Sequence, residues 1–451
     1  MGLSLTLHQL AAIVGCDASF EDRYVSGVVI DSRHIQLGDL FVALKGEHVD
    51  GHQFIAQARE AGACAALVSE KQNDELPQLL VSDVRKAFAS IAKAWKAQCK
   101  AKVVAITGSN GKTSLKEMVT AILRQVGPVT ATQGNFNNDL GVPLTVCRIN
   151  KEDSYAVVEM GTNHHGEIAE LVNIVTPDVA VVNTVSAAHI EGFGSVSGVA
   201  EEKGQIYAGL ATDGIAVVNA DLPYEDTWQA AIADRERIRF GVAEAVDIRL
   251  EYAQPEPRGS HFLVKIAGVN HHFSLPLPGM HNIHNALAAI AICTALNVPV
   301  NAMVKGLAEI QPVAGRLQIR DGINGATLID DSYNANPASY EQALTVLAGF
   351  PGQRWLVLGD FAELGPDAEN IHQQLGERAL ETGVERLFTV GKTSKKAAES
   401  FGEHAQHFSD KHELQQVLKD ELHQGVVCLI KGSRFMQLDT LVEPLSMENT
   451  H

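Results

Sequence analysis

Val103-Val-Ala-Ile-Thr107-Gly108-Ser109-Asn110-Gly111-Lys112-Thr113 is the stretch from which the rest of the chain can be read. An apolar, β-branched run ends in two glycines and a Lys-Thr pair, and a helical pattern follows through Leu123. The glycines let the backbone curl so that several N–H groups point inward, and the following helix adds the partial positive charge of its N-terminus. Lys112 then reaches outer phosphates, and the Thr113 hydroxyl is a ligand for Mg²⁺. A standard Walker A loop needs glycine where Ile106 stands, so this loop is shorter between its glycines. A glycine-rich strand-to-helix turn with an incidental lysine is the competing explanation. The strand before and the helix after favour a nucleotide site made by Thr107, Gly108, Ser109, Asn110, Gly111, Lys112 and Thr113.

Outward from that loop the chain reads as three α/β blocks. Residues 1–82 alternate short apolar runs (Val28–Ile30, Leu40–Leu44, Ala65–Val68, Leu79–Val81) with helical patterns, which predicts a small α/β module. Residues 83–314 open with a helix near Val84–Gln98. They carry buried-strand candidates at Val103–Thr107, Tyr155–Met160 and Asp178–Asn183, separated by helices, which predicts a parallel sheet of P-loop ATPase type covered on both faces. Antiparallel strands are expected at Ile248–Tyr252, His261–Ile266 and His272–Leu277, then an apolar helix over Asn282–Leu296. Residues 315–451 place strands at Thr327–Asp330, Arg354–Leu358, Arg386–Val390 and Val426–Ile430, a Rossmann-like, doubly wound pattern.

Composition narrows the function. With 36 Lys plus Arg against 54 Asp plus Glu among 451 residues, the formal net charge is −18. So acidic a chain is a poor binder of nucleic acid or an anionic membrane, and a phosphorylated ligand needs a local positive site. The six cysteines are widely spaced, which excludes a zinc knuckle or a CxxC pair and suits a reducing cytoplasm. The apolar run Ala286–Leu296 is too short to span a bilayer.

Several constellations carry chemistry. Glu159 closes an apolar strand beside the phosphate loop, where a carboxylate can hold Mg²⁺; a surface acid is the alternative. His189 follows the strand ending near Asn183 and is a further metal candidate. Lys203, in Ala200-Glu-Glu-Lys-Gly204, reads from composition as a solvated helix lysine paired with acids. The segments Gly134–Pro143 and Gly161–Ile168 are dense in amide and imidazole groups suited to a sugar or pyrophosphate, or to ordinary Asx turns. Asn282 and Asn285 share one helical face unless Asn282 is an N-cap. Arg316, at a block boundary, can clamp phosphate or form an interdomain ion pair. Asp331 ends a strand, free to take ribose hydroxyls or a water. Lys431-Gly-Ser433-Arg434 follows another strand and is expected to open a helix that offers donors to a carboxylate.

The loop Thr107–Thr113 resembles the ATP loop of the Mur ligases and their folylpolyglutamate synthetase relatives, although Ser109-Asn110 stands where other members often carry Thr. Asp31-Ser-Arg33 and Phe41-Val-Ala-Leu-Lys-Gly46 resemble the family's uridine-binding module, and Leu358–Gly365 extends the likeness across all three blocks. The resemblance implies ATP and two Mg²⁺ ions held by Thr113, Glu159, His189 and a carbamylated Lys203. It implies adenine contacts at Asn282 and Asn285. It implies substrate contacts at Ser32, Arg33, Leu44, Gly46, Asn135, Asn138, Thr162 and Asn163. Asp330-Asp-Ser-Tyr-Asn334-Ala-Asn336-Pro337 resembles the form found in the family member that joins D-alanyl-D-alanine to UDP-N-acetylmuramoyl-tripeptide, rather than the Asp-Tyr-Ala-His type of the third-residue enzyme. Asn334, Asn336, Lys431, Ser433 and Arg434 are then contacts of the incoming dipeptide. The implied reaction passes through an acyl phosphate, with Lys112, His189 and Lys203 as catalytic groups and with His189 or the dipeptide's own amine as base. A cytoplasmic monomer serving peptidoglycan synthesis, and hence cell-wall biogenesis and division, is expected, with domains closing about linkers near residues 82 and 314. Another ligase of this superfamily is the first rival, and a nucleotide-gated binding protein that forms no amide is the second.

Overall fold

The computed structural model describes residues 2–187 and 190–447. The chain is α/β throughout and divides into two compact units, Met1–Val185 with Ser197–Ile248 and Ala288–Gly306, and Ser186–Val196 with Arg249–Leu287 and Leu307–His451.

In the first unit, a four-stranded parallel sheet takes Gly27–Val29, Asp39–Val42, Ala65–Val68 and Gln78–Leu80 in chain order. The helix Val84–Lys96 follows, started by the Asp83 carboxylate, which accepts from Lys86 N. Its apolar residues recur three and four apart, so Val84, Ala87, Phe88, Ile91, Ala92 and Trp95 form one buried stripe. Trp95 is anchored by its indole N–H, which donates to Ile149 O at 3.0 Å.

The larger parallel sheet of this unit runs Val129–Ala131, Tyr155–Glu159, Lys102–Thr107, Val179–Val182, Ile215–Asn219, Glu236–Gly241 across the strands. Lys102–Thr107 is first in chain order yet lies inside the sheet, with Tyr155–Glu159 on one side and Val179–Val182 on the other. The chain therefore leaves it first to one side and later to the other. A crevice opens at the carboxyl ends of strands where the winding reverses in this way, and the loop Gly108–Gly111 stands there. Every residue of this strand except Lys102 is buried, as its near-continuous apolar run requires.

The second unit contains the antiparallel pair Gly259–Ile266 and Val269–Leu275, in the register Ser260↔Leu275 to Ile266↔Val269. It also contains a six-stranded sheet ordered Gln318–Asp321, Thr327–Asp331, Val426–Lys431, Gln353–Gly359, Arg386–Val390, Ala405–Phe408. Only the first pair is antiparallel. This is the Rossmann-like pattern expected of residues 315–451.

The strands expected from sequence are present, Ala65–Val68 and Arg386–Val390 with the same ends and the others with ends shifted by at most four residues. Val129–Ala131, Glu236–Gly241, Gln318–Asp321 and Ala405–Phe408 were not expected. Val129–Ala131, Gln318–Asp321 and Ala405–Phe408 are only three or four residues long, so pairing with a neighbour defines them and hydrophobic pattern does not, whereas Arg237-Ile-Arg-Phe240 does alternate in the manner of a strand. Ile215–Asn219, also not expected, carries a plain apolar signal. The expected helix after Lys431 is instead a three-residue 3₁₀ turn, Arg434–Met436, with Asp439–Leu445 helical beyond it. Among the described residues no helix is long and apolar enough to cross a membrane.

Trp95→Phe removes the donor to a buried carbonyl and leaves a small void. It should cost about 1–3 kcal/mol of stability, read as a lower urea midpoint with an unchanged slope.

Candidate active site

The loop after Lys102–Thr107 is held by a segment far away in sequence. Ser109 N donates to Thr184 O and Asn110 N to Thr184 Oγ1, both at 2.8 Å, and Thr184 Oγ1 donates back to Asn110 O at 2.8 Å. A Cβ on Gly108 would stand 3.0 Å from Thr184 N, so only glycine admits this approach. Gly111 takes φ +76° at the start of the helix Lys112–Leu123, which aims the first N–H groups of that helix at the loop's hollow. Lys112 Nζ folds over the hollow and donates to Gly108 O at 2.7 Å. Thr107 faces inward instead, its hydroxyl donating to Met160 O.

Beside the loop, Thr113 Oγ1 donates to Glu159 Oε2 at 2.9 Å, and Asn137 Nδ2 donates to Glu159 Oε1 at 2.8 Å. Glu159 is only 2% exposed, and its own N–H bonds to Thr132 Oγ1. A buried carboxylate with a hydroxyl alongside supplies hard oxygen donors, the set Mg²⁺ prefers when substrate phosphate and water complete its shell. Among the described residues no cluster of three or more His, Cys, Asp or Glu could hold a metal alone. The residues present therefore fit a magnesium ion that arrives with phosphate. His189, the other expected ligand, lies outside the described residues.

Lys203, on the helix Val196–Ala208, is 1% exposed, so the solvated lysine suggested by composition is overturned. Burial, and then the nearby charge of Lys112, lower its pKa to about 7, with Glu202 opposing. Glu202 turns away to accept from Gly166 N and Ile168 N. In the two amide-rich segments, Thr162 Oγ1, Asn163 N and His164 N all donate to Glu167 Oε2. Asn138 Oδ1 accepts from Leu140 N at 3.3 Å, an Asx turn, and from Gly141 N at 3.0 Å, and Asn135 is exposed. Asn137 and Thr184 were not among the expected residues. Asn137 lay inside the amide-rich segment, whereas Thr184 had no distinguishing signal.

In the N-terminal sheet, Arg33 pairs with Asp31 at 2.6 Å and holds that carboxyl down to about 2. Ser32 Oγ donates to Gln57 Oε1. Leu44 O accepts from Gly51 N and Gly46 N donates to Val49 O, which closes the loop that follows Asp39–Val42.

The second unit gathers another group. Asn282 lies inside the helix Met280–Ala295, so it is not an N-cap; its Nδ2 donates to Pro278 O at 2.8 Å, and Asn285 Nδ2 reaches Asn282 Oδ1 at 3.5 Å. Burial pushes the neighbouring His281 down to about 4, with Asp331 opposing. Lys431, expected to meet a substrate carboxylate, is 1% exposed and bonded inward, to Asp331 Oδ2 at 2.5 Å and Asn334 O at 3.1 Å. Asp331 is thus committed to Lys431 and to Leu317 N. Asn336 caps the helix Pro337–Ala348, accepting from Ser339 N. Ser433 is likewise internal, its Oγ accepting from Ala362 N. Arg434 and Asn334 remain exposed, and Arg316 is half-buried.

Three family models match the chain in succession: "Mur ligase family, catalytic domain" over residues 24–107, "Mur ligase middle domain" over 106–293, and "Mur ligase, glutamate ligase domain" over 315–434. The chain belongs to the Mur ligase family. Within it, the chain is 43% identical over 451 residues to UDP-N-acetylmuramoyl-tripeptide–D-alanyl-D-alanine ligase of Escherichia coli (strain K12), covering 99% of this chain and 100% of that enzyme. The enzyme of the same name from Bacillus subtilis (strain 168) is 35% identical, covering 94% of each. A crystal structure of MurF from Acinetobacter baumannii superposes with a TM-score of 0.89 at 33% identity, covering 98% of this chain and 99% of that one. MurF ligase from Thermotoga maritima in complex with ADP gives 0.81 at 29% identity, covering 92% and 96%.

Asn137→Ala strips the Glu159 carboxylate of one of its donors. Stability should fall by about 1–2 kcal/mol, measured by urea unfolding against the parent protein.

Proposed function

We propose that this protein is an ATP-dependent ligase that joins D-alanyl-D-alanine to UDP-N-acetylmuramoyl-tripeptide in cytoplasmic peptidoglycan precursor synthesis. The observation that carries this reading is full-length similarity to enzymes of that name, joined to a glycine-curled loop beside Thr113 and Glu159. Residues 1–82 would hold the uridine through Ser32, Arg33, Leu44 and Gly46, residues 83–314 the ATP, and residues 315–451 the dipeptide. The order of the three matched models supports that division. The protein would act as a monomer.

A free carboxylate and an amine do not condense at useful rate, because oxide is too poor a leaving group. The tripeptide's terminal carboxylate oxygen attacks the γ-phosphorus of ATP; the bond to the β,γ-bridging oxygen breaks and ADP departs. The dipeptide amine then attacks the acyl carbon of the resulting acyl phosphate, and inorganic phosphate leaves with the electron pair. The dipeptide either attacks as its own free amine, losing its extra proton to water, or passes that proton to His189. Within this chain, the N–H groups of residues 108–113 and the Lys112 ammonium offset the repulsion between two anions and the charge that grows on the transferring phosphoryl. Mg²⁺ bound by Thr113 and Glu159 would supply further charge neutralisation. Asn135, Asn138, Thr162 and Asn163 would orient the muramoyl peptide. The roles of Asn282, Asn285, Arg316 and Asp331 toward the nucleotide rest on the family resemblance. Lys431, Ser433 and Asn336 hold their loops in place, leaving Asn334 and Arg434 to meet the dipeptide.

Lys203 suits carbamylation, in which a neutral amine attacks CO₂ and releases one proton. Its burial removes competing water, and its lowered pKa supplies the neutral form near neutrality. The product is a carboxylate-like anion able to orient a second magnesium ion.

Two outcomes test this reading. Incubation with Mg-ATP, UDP-N-acetylmuramoyl-tripeptide and D-alanyl-D-alanine should give a product whose mass is the sum of the two peptides less one water. Lys112→Ala should lower its rate by roughly 100-fold or more; full activity in that variant would remove the phosphate role. Separately, protein equilibrated with ¹³C-bicarbonate should show a carbamate carbon resonance that grows as pH rises through about 7. Lys203→Arg should lack it.

A further inference from the structure

In the second unit two guanidinium groups converge on one aromatic ring. Arg316 Cζ stands 4.3 Å from the centroid of the Tyr333 ring, and Arg434 Cζ stands 5.7 Å from it. The convergence is built into the backbone. Tyr333 N donates to Gly315 O at 3.0 Å, and Leu317 N donates to Asp331 Oδ1 at 3.2 Å, so the turn carrying Arg316 is tied down on both sides. Gly315 has φ +71°, and a Cβ there would lie 3.1 Å from both Tyr333 N and Tyr333 Cβ. Only glycine allows the turn to lie this close. From the other side, Lys431 bonds Asp331 and Asn334 O and so fixes the strand end from which Arg434 follows.

The charges are incomplete. Arg434 has a carboxylate partner, Asp439 Oδ2 at 3.0 Å. Arg316 Nε is buried and has no hydrogen-bond partner among the described residues. A buried guanidinium N–H without an acceptor is costly, and an arriving anion removes the cost. Until then the ring's negative face is what steadies the cation.

We propose that Tyr333 is a positioning residue: its ring holds the Arg316 guanidinium ready for a phosphoryl group and the Arg434 guanidinium ready for a carboxylate, so that one side chain sets both anion sites. This rests on the function proposed above for its choice of ligands. The ring does this work and the hydroxyl does not, because the attraction comes from the π-face.

The test compares the intact enzyme with Tyr333→Phe, Tyr333→Leu and Tyr333→pentafluorophenylalanine, the last preserving shape while reversing the ring's polarity. Tyr333→Phe should keep KM for ATP and for D-alanyl-D-alanine within about twofold, whereas the leucine and fluorinated variants should raise both by roughly 3- to 30-fold with kcat changed less. A ring needed only for packing would tolerate fluorination. Unchanged KM values in the fluorinated variant, or a rise in only one of them, would overturn the proposal, and this holds even if the leucine variant fails to fold. Affinity for a non-hydrolysable ATP analogue, titrated without dipeptide, gives a second reading of Arg316. It should weaken in the fluorinated variant, and an unchanged value would overturn the proposal. If the parent enzyme forms no amide with D-alanyl-D-alanine, the substrate reading fails, while the nucleotide titration still decides the role of Tyr333.

Discussion

The carboxylate of Glu159 is the point on which the first unit's chemistry turns. It is buried at the tip of an interior parallel strand, and a buried carboxylate is tolerable only when its oxygens are satisfied. One oxygen takes the hydroxyl of Thr113 from the helix that follows the phosphate loop; the other takes the amide of Asn137 from the amide-rich segment. A single acid therefore sets the distance between the element that grips phosphate and the element suited to a sugar. Its neighbours follow from the same need: Thr132 supplies an acceptor for its N–H, and the strand beside it ends at Thr107, whose hydroxyl turns inward to Met160 O.

The reversal of winding at Lys102–Thr107 explains why that acid sits where it does. Parallel strands place their carboxyl ends together, and a central strand with later neighbours on both sides leaves room above it. Ser109 and Asn110 fill part of that room and are held by Thr184, two residues past the end of the next strand over. The loop's shape is thus a property of the sheet as much as of its own glycines.

Much of this was legible in the sequence. The run Val103–Thr107, the loop after it and Glu159 at the end of an apolar strand follow from local pattern, since each signal lies within a few residues. Asn137 and Thr184 were hidden because their meaning comes from contacts across 22 and 74 positions. Composition misread Lys203, whose acidic neighbours suggested solvent, because burial is decided by packing around the helix and not by adjacent letters. Lys431 reads locally as a group facing a ligand, yet its partner, Asp331, lies 100 positions away. The edge strands Val129–Ala131, Gln318–Asp321 and Ala405–Phe408 are too short for a periodic signal, and pairing alone defines them.

The segment between Asp331 and Asn336 has a consequence of its own. One end is the last residue of a strand, gripped by Lys431; the middle offers the Asn334 carbonyl to the same ammonium; the other end caps the helix Pro337–Ala348. Pinned at three places, this stretch works as a spacer of fixed span. Its length is fixed as firmly as the side chains that pin it, because one inserted or deleted residue would force the chain to give up either the ammonium's grip or the helix start.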